Sequence, residues 1–367
     1  VGLLPPGSVV LHTEASPGFG GQEIRTVEES RWLLAHGWRA VIACQPASRL
    51  FVEARRAGVP VVGIRMAHAA DAAALLGLLA TIRRAEAAVV HTHSSVDSWL
   101  GGLAGRLLRR AVVRSRHVSI PVRRSRALVY RLAHRIIASG EAVKAMLVAA
   151  GVPAARVHVI PAGVDTRRFR PGLSGRRVRE EFGLKGPVVG LVANLRGSKG
   201  HAVFLEAARE VRAAVPDTRF LIVGDGVAAG RIRRLVAEQG LDDVVTLTGF
   251  RRDIPEIMAA LDVLVLPSTR TEAIPQVVIQ ALAVGTPVVA TTFGGIPEIV
   301  RDGETGILVA PGDAGALAGA IRAALAEPER ARAMARAGQA LVHGEFTLDQ
   351  TMAKTLGVYA QALAVRA

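Results

Sequence analysis

The stretch Leu261–Gly295, LDVLVLPSTRTEAIPQVVIQALAVGTPVVATTFGG, decides the fold. DVLVLPS is a short apolar run closed by proline, which reads as a strand buried on both faces. After a polar loop, IPQVVIQALAV has the length and composition of a buried helix. PVVATT is a second buried strand. Strand, helix and strand in such close succession form a βαβ unit with parallel strands. Two polar residues interrupt it. Glu272 stands between the first strand and Pro275, which suits the first position of a helix and makes Glu272 a cap-region residue. Gln280 sits inside the apolar helix, four residues after Gln276 and on the same face. A carboxylate beside the N–H groups around Ala273, Ile274 and Gln276 can accept bonds from hydroxyl groups. An amide that both donates and accepts suits a vicinal diol such as ribose.

The same alternation extends in both directions. SVVLHT, RAVIAC, VPVVGI, AAVVHTH, AVVRSR, RIIASG and VHVIP read as strands in the first half. PVVGLVAN, RFLIVGDG, VVTLTGF, DVLVLPS, PVVATT and TGILVA repeat the scheme in the second. Helical segments such as Gln22–His36 and Asp71–Arg84 separate them. The expected fold is α/β, with two doubly wound Rossmann-like domains. The aperiodic, Pro/Gly/Arg-rich stretch Pro161–Arg177 marks the boundary. The expected division is residues 1–168, residues 169–345, and a final helix in residues 346–367 packed across the junction.

Charge is distributed unevenly. Of the net +15 over 367 residues, nearly all lies before residue 171, where 24 basic face 10 acidic residues. No acid occurs between Ser98 and Gly140, while ten arginines run from Arg106 to Arg135. Such a surface suits anionic lipid, phosphorylated glycan or nucleic acid. Aromatics are only 4% of the chain and do not interleave with the arginines, which argues against nucleic acid. The candidate acceptor or membrane contacts are Arg109, Arg110, Arg114, Arg116, Arg123 and Arg124. Cys44 is the single cysteine, which excludes an internal disulfide and fits a reducing compartment. No secretory signal or membrane-spanning run is read. The expected location is cytoplasmic, on the inner face of the cytoplasmic membrane.

In open parallel sheets ligands bind beyond the carboxyl ends of the strands. SPGFGGQE places Gly20 and Gly21 there, at a helix start that favours an anion. ANLRGSKGH places Asn194, Arg196 and Lys199 at another strand end, where Arg and Lys can clamp a diphosphate. VGDG contributes Gly224 and Asp225. RSRHVS sets His117 at a strand end. HTHSSVD sets His91 and His93 on one face of a strand. A metal pair there finds no third ligand in the sequence, and no Asp-x-Asp motif occurs. No metal or cofactor is expected.

Taken together, the Gly-Gly turn, VIPAGVDTRRF, NLRGSKG, VGDG, GFRRD, EAIPQVVIQALAVGTPVVAT and GGIPEIV come in the order and spacing of one family. Over essentially its whole length the chain resembles the family 4 retaining glycosyltransferases. The resemblance implies the GT-B fold, two Rossmann-like domains facing across a cleft. It implies a sugar-nucleotide donor held mainly by the second domain, with Arg196 and Lys199 at the diphosphate. Residues near Gly249, including Phe250 and Arg251, would hold the base, and Glu272 to Gln276 would meet the donor sugar and phosphate. His117 would lie by the reacting sugar, and His91 and His93 would line the acceptor side. Gln280 stands where the family usually has a second glutamate, and Asn194 where many members have arginine. The implied reaction is metal-independent sugar transfer with retention, onto an anionic glycolipid or glycan of the lipopolysaccharide type. A sugar-nucleotide epimerase of the same fold is the alternative. A phosphorylase lacks a defensible lysine anchor for its cofactor.

Overall fold

A computed structural model describes residues 4–122 and 124–366, and the side chains of residues 124–126 are not part of it. The candidate contacts Arg123 and the Arg124 side chain therefore lie outside the described residues. The chain divides into two compact units: Val1–Ala162 with Leu348–Ala367, and Gly163–Thr347. The change of unit falls inside the Pro161–Arg177 stretch. The final helix, Leu348–Ala364, belongs to the first unit, where it packs on that unit's own sheet.

The first unit contains β1 (Val9–Glu14), β2 (Arg39–Cys44), β3 (Val61–Gly63), β4 (Val89–Thr92), β5 (Ala111–Arg116), β6 (Arg135–Ala138) and β7 (Val157–Val159). The second contains β8 (Val188–Val192), β9 (Arg219–Val223), β10 (Val245–Gly249), β11 (Val263–Leu266), β12 (Val288–Thr291) and β13 (Ile307–Val309). Each of the thirteen falls within or overlaps a run read from the sequence. All pairings in both sheets are parallel. The strand orders are β3-β2-β1-β4-β5-β6-β7 and β10-β9-β8-β11-β12-β13. Each order reverses once, between β1 and β4 and between β8 and β11. At those two points neighbouring loops leave in opposite directions and open a crevice at the sheet edge.

Helices cover both faces of each sheet, which explains why the strands read as continuous apolar runs. In the second unit, Leu264, Leu266 and Val288 meet Ile279 and Leu282 on one face. Val263, Val265 and Val289 meet Phe204, Leu317 and Ile321 on the other. In the first unit, the helix Ser95–Leu107 lies close against its strands because Gly101 and Gly105 face them. A Cβ on Gly105 would stand 2.6 Å from Val112 Cγ2.

Candidate active site

The loops after β8 and β11 meet at the second reversal point. Lys199 Nζ lies 2.6 Å from Glu272 Oε2, and Ser268 Oγ donates to the same oxygen at 2.7 Å. Thr291 at the end of β12 donates to the Ser268 carbonyl, and Thr269 N–H donates to the Ser198 carbonyl. Two glycines make this approach possible. Gly200 has φ +71°, and a Cβ there would stand 1.8 Å from the Pro267 carbonyl oxygen. Gly294 has φ +61°, and its Cβ would stand 2.0 Å from the Glu272 carbonyl oxygen. Neither conformation nor space admits a side chain. Thr271, next to Glu272, itself takes φ +52°, a strained value for a β-branched residue.

Glu272 is thus not a helix cap. Its carboxylate is aimed at Lys199, and the helix begins at Gln276, one position later than the sequence suggests, with Pro275 as the preceding cap residue. Glu272 is 6% exposed, and its Oε1 has no hydrogen bond among the described residues. Gln280 is 8% exposed on the same helix, and its amide is likewise unbonded among the described residues, so it is not a satisfied core amide. Arg196 is exposed beside Lys199. Gly224 and Gly226 let the loop after β9 lock against Ala193 and Leu195, with Leu195 N–H donating to the Asp225 carbonyl at 3.0 Å. That contact brings Asn194, Gly224 and Asp225 together. Arg251 is committed elsewhere. It is held by Glu181 and Asp253, whose hydrogen bonds raise its already high pKa. The Phe250 ring is covered by Arg252, at 5.2 Å.

At the first reversal point, two acids are buried. Glu14 accepts from Ser16 N–H at 2.8 Å and from the Gln22 amide. Asp97 accepts from Thr13 Oγ1 at 3.0 Å and from the backbone N–H of His93 and Ser94. Burial raises both pKa values, and the charges of Asp97 and Glu23 add to the rise at Glu14. The Gly20–Gly21 turn does start a helix. The Gly20 N–H, however, is taken by Glu23 Oε2 at 2.7 Å rather than left for an anion.

His91 and His93, the candidates for the acceptor side, are fully or nearly fully buried. His12 joins them, a residue that the sequence reading passed over. Its signal was available: His12, Thr13 and Glu14 are three polar residues closing an otherwise apolar strand. Of the arginine candidates, Arg109 is exposed and Arg110 is half-buried. Arg114 is buried, 4.0 Å over the Tyr130 ring, so it is no surface contact. Arg116 donates to the Val118 and Ile120 carbonyls and so holds its own loop.

Two parallel sheets with polar strand ends at both reversal points define a GT-B type of architecture. The solved complex of Anabaena HepE with UDP-glucose superposes with a TM-score of 0.86, at 24% identity over 95% of this chain and 99% of that one. Sucrose-phosphate synthase from Thermosynechococcus elongatus gives 0.80, at 24% identity over 98% and 100%. The family descriptions "Glycosyltransferase Family 4" and "Glycosyl transferases group 1" match residues 19–168 and 186–327. A 2-deoxystreptamine glucosyltransferase of Streptomyces kanamyceticus is 31% identical over 83% of this chain and 84% of its own length. A GDP-mannose-dependent alpha-(1-6)-phosphatidylinositol monomannoside mannosyltransferase of Mycolicibacterium smegmatis is 37% identical over 56% of this chain, a match spanning about half (55%) of that relative. The chain belongs to glycosyltransferase family 4, and it is a glycosyltransferase.

Proposed function

We propose that the protein moves a sugar from a nucleoside diphosphate to a hydroxyl of an anionic glycolipid, with retention at the anomeric carbon and without a metal. The Lys199–Glu272 pair at the reversal point of the second sheet carries this reading. In the reaction the bond from the anomeric carbon to the diphosphate oxygen breaks, and a bond from that carbon to the acceptor oxygen forms. The acceptor's proton passes to the departing diphosphate. Negative charge grows on that diphosphate, and the cations Arg196 and Lys199 stabilise it. Glu272, with one oxygen fixed by Lys199 and Ser268, uses the other to orient a sugar hydroxyl. Gln280 holds a ribose hydroxyl pair.

The acceptor half of the proposal rests on the first unit. The helix Ser95–Leu107 exposes Trp99, Leu103 and Leu107, one turn apart on one face, with Arg106 among them. Leu76 is 66% exposed on the helix Ala72–Ala85, which packs beside it. Apolar residues flanked by arginines suit the interface of an anionic bilayer. Among the described residues no helix is long and apolar enough to cross a membrane, so attachment would be peripheral. A cell-envelope glycolipid, of the lipopolysaccharide-core or phospholipid-linked kind, fits this face.

The test is transfer itself. The protein is incubated with UDP-, GDP- and ADP-sugars and either vesicles bearing phosphorylated glycolipid or 2-deoxystreptamine. A labelled, α-configured glycolipid product is expected. Release of an isomerised sugar nucleotide without acceptor would establish an epimerase instead. Transfer only to 2-deoxystreptamine would replace the lipid acceptor with a soluble one.

A further inference from the structure

Four histidines of the first unit form one cluster. His12 on β1 is the register partner of His91 on β4, His93 follows on β4, and His117 follows β5. His12 Nδ1 lies 2.9 Å from His93 Nε2, and His93 Nδ1 lies 3.1 Å from His117 Nε2. Three rings are therefore joined end to end. His91 stands apart from the row, with Nδ1 2.7 Å from the Tyr359 hydroxyl and Nε2 2.8 Å from Ser115 Oγ.

His12, His91 and His93 also meet the spacing of a metal site, with ligand atoms within 4.8 Å of one another. That reading is the weaker one. Both nitrogens of His91 are already bonded, and the buried Arg25 guanidinium places positive charge against His12 and His93. A divalent cation would have to break those bonds and sit near that charge. Burial and the same charge keep the rings neutral.

Neutral rings impose a count. Each carries one N–H and one bare nitrogen. Two of the three protons in the row fill the two N···N contacts. The third sits at one end, on His12 Nε2 or on His117 Nδ1. His12 Nε2 is buried without a partner. An orphaned buried N–H is rarer than an under-used acceptor. His117 is half-buried, and its Nδ1 bonds no protein atom among the described residues. We propose that the row His12–His93–His117 fixes His117 as its Nδ1–H tautomer, so that His117 presents a neutral N–H donor to a substrate oxygen. His93 and His12 are positioning residues: they act through His117 and touch no substrate. That the oxygen belongs to a sugar or phosphate rests on the transferase reading above. The tautomer itself does not.

The experiment is a ring-nitrogen NMR spectrum of the ¹⁵N-histidine-labelled full chain at neutral pH, without substrate. His117 is expected to show a protonated Nδ1 and a bare Nε2, although a free histidine side chain favours Nε2–H. In His93→Phe, His117 should revert to the Nε2–H form. The same variant should lose about a hundredfold in kcat, with the donor KM nearly unchanged, as for a lost transition-state donor. A protonated Nε2 or an imidazolium at His117 in the unaltered protein overturns the proposal. So does an unchanged His117 tautomer in His93→Phe. Zinc added alone should leave the spectrum unchanged, and joint displacement of the His12, His91 and His93 signals would put a metal site in place of the row. If His93→Phe does not fold, the spectrum of the unaltered protein still decides. A spectrum as expected in a protein that transfers no sugar would sink the function and leave the row standing.

Discussion

Glu272 is a carboxylate with one oxygen spent and one free. Lys199 and Ser268 hold Oε2, while Oε1 keeps its lone pairs. Replacing Glu272 by Gln preserves the shape and removes the charge that neutralises Lys199. If the free oxygen orients a sugar hydroxyl as the bond breaks, kcat should fall by roughly 10²–10³. Nucleotide binding should survive, read as thermal stabilisation of about 2.7 kcal/mol at a hundred times Kd. Undiminished transfer in Glu272→Gln would remove Glu272 from the mechanism. The buried histidines yield a second expectation. Burial, then Arg25, lowers the His12 pKa from 6.5 to about 3, and His91, His93 and His117 also lie well below the usual value. The unfolded chain therefore takes up protons below pH 6.5 that the folded protein refuses. Stability is full above that pH and erodes as pH falls toward 3. Glu14 and Asp97, with raised pKa values, act in the opposite direction and withdraw stability as pH rises above the ordinary carboxylate range. Burial also lowers the pKa values of His134, His158 and His201, and seven histidines against two acids should leave Tm falling between pH 7 and pH 5. His12→Phe should flatten that fall, and an unchanged slope would mean that His12 is not buried neutral.

At the scale of elements, the helix Ser95–Leu107 has two faces that answer to different demands. Gly101 and Gly105 let its inner face approach the sheet, and Trp99, Leu103 and Leu107 occupy its outer face. Gly105→Val places a methyl group where Val112 already stands, so a loss of about 1–3 kcal/mol is expected in chemical denaturation. Leu107→Ser on the outer face, where the residue is 59% exposed, should stay within about 0.5 kcal/mol. Equal losses would mean that the outer face is packed after all. The strands and helices of both units were legible in the sequence because burial on two faces writes itself as apolar runs, and helices such as Ala72–Ala85 as longer segments between them. The site was legible residue by residue but not as pairs. Lys199 and Glu272 are 73 positions apart, and His12 and His93 are 81 apart. Only the crossing order of the strands brings them together. Arg114 misled for a related reason: a buried arginine stacked on Tyr130 leaves the same letter in the sequence as one in solvent.

For the whole molecule, the charge imbalance becomes a directional surface. In a parallel sheet the covering helices run back toward the strand N-termini, so Arg83 and Arg84 end one helix at the same edge as Arg106 and Arg109 end its neighbour. All four are exposed. The apolar stripe starts at Trp99, near the loop that closes β4, and ends at this basic edge. A bilayer contact along the flank would bury Trp99 and the leucines and set the arginines against headgroups. Each suitably placed arginine contributes about 1 kcal/mol near an anionic surface, and the attraction fades over about 8 Å at physiological salt. The full chain should therefore sediment with vesicles containing anionic lipid and not with neutral ones. Binding should weaken as salt rises, and tryptophan fluorescence should shift to shorter wavelength on binding. Arg83, Arg84, Arg106 and Arg109 changed together to Ser should abolish that binding, while transfer to a detergent-dispersed acceptor continues. Trp99→Ser should weaken binding at every salt concentration, because it removes apolar area rather than charge. If neutral and anionic vesicles bind alike, the basic edge has no part in attachment. If neither binds, the stripe faces something other than a membrane, and the acceptor is soluble.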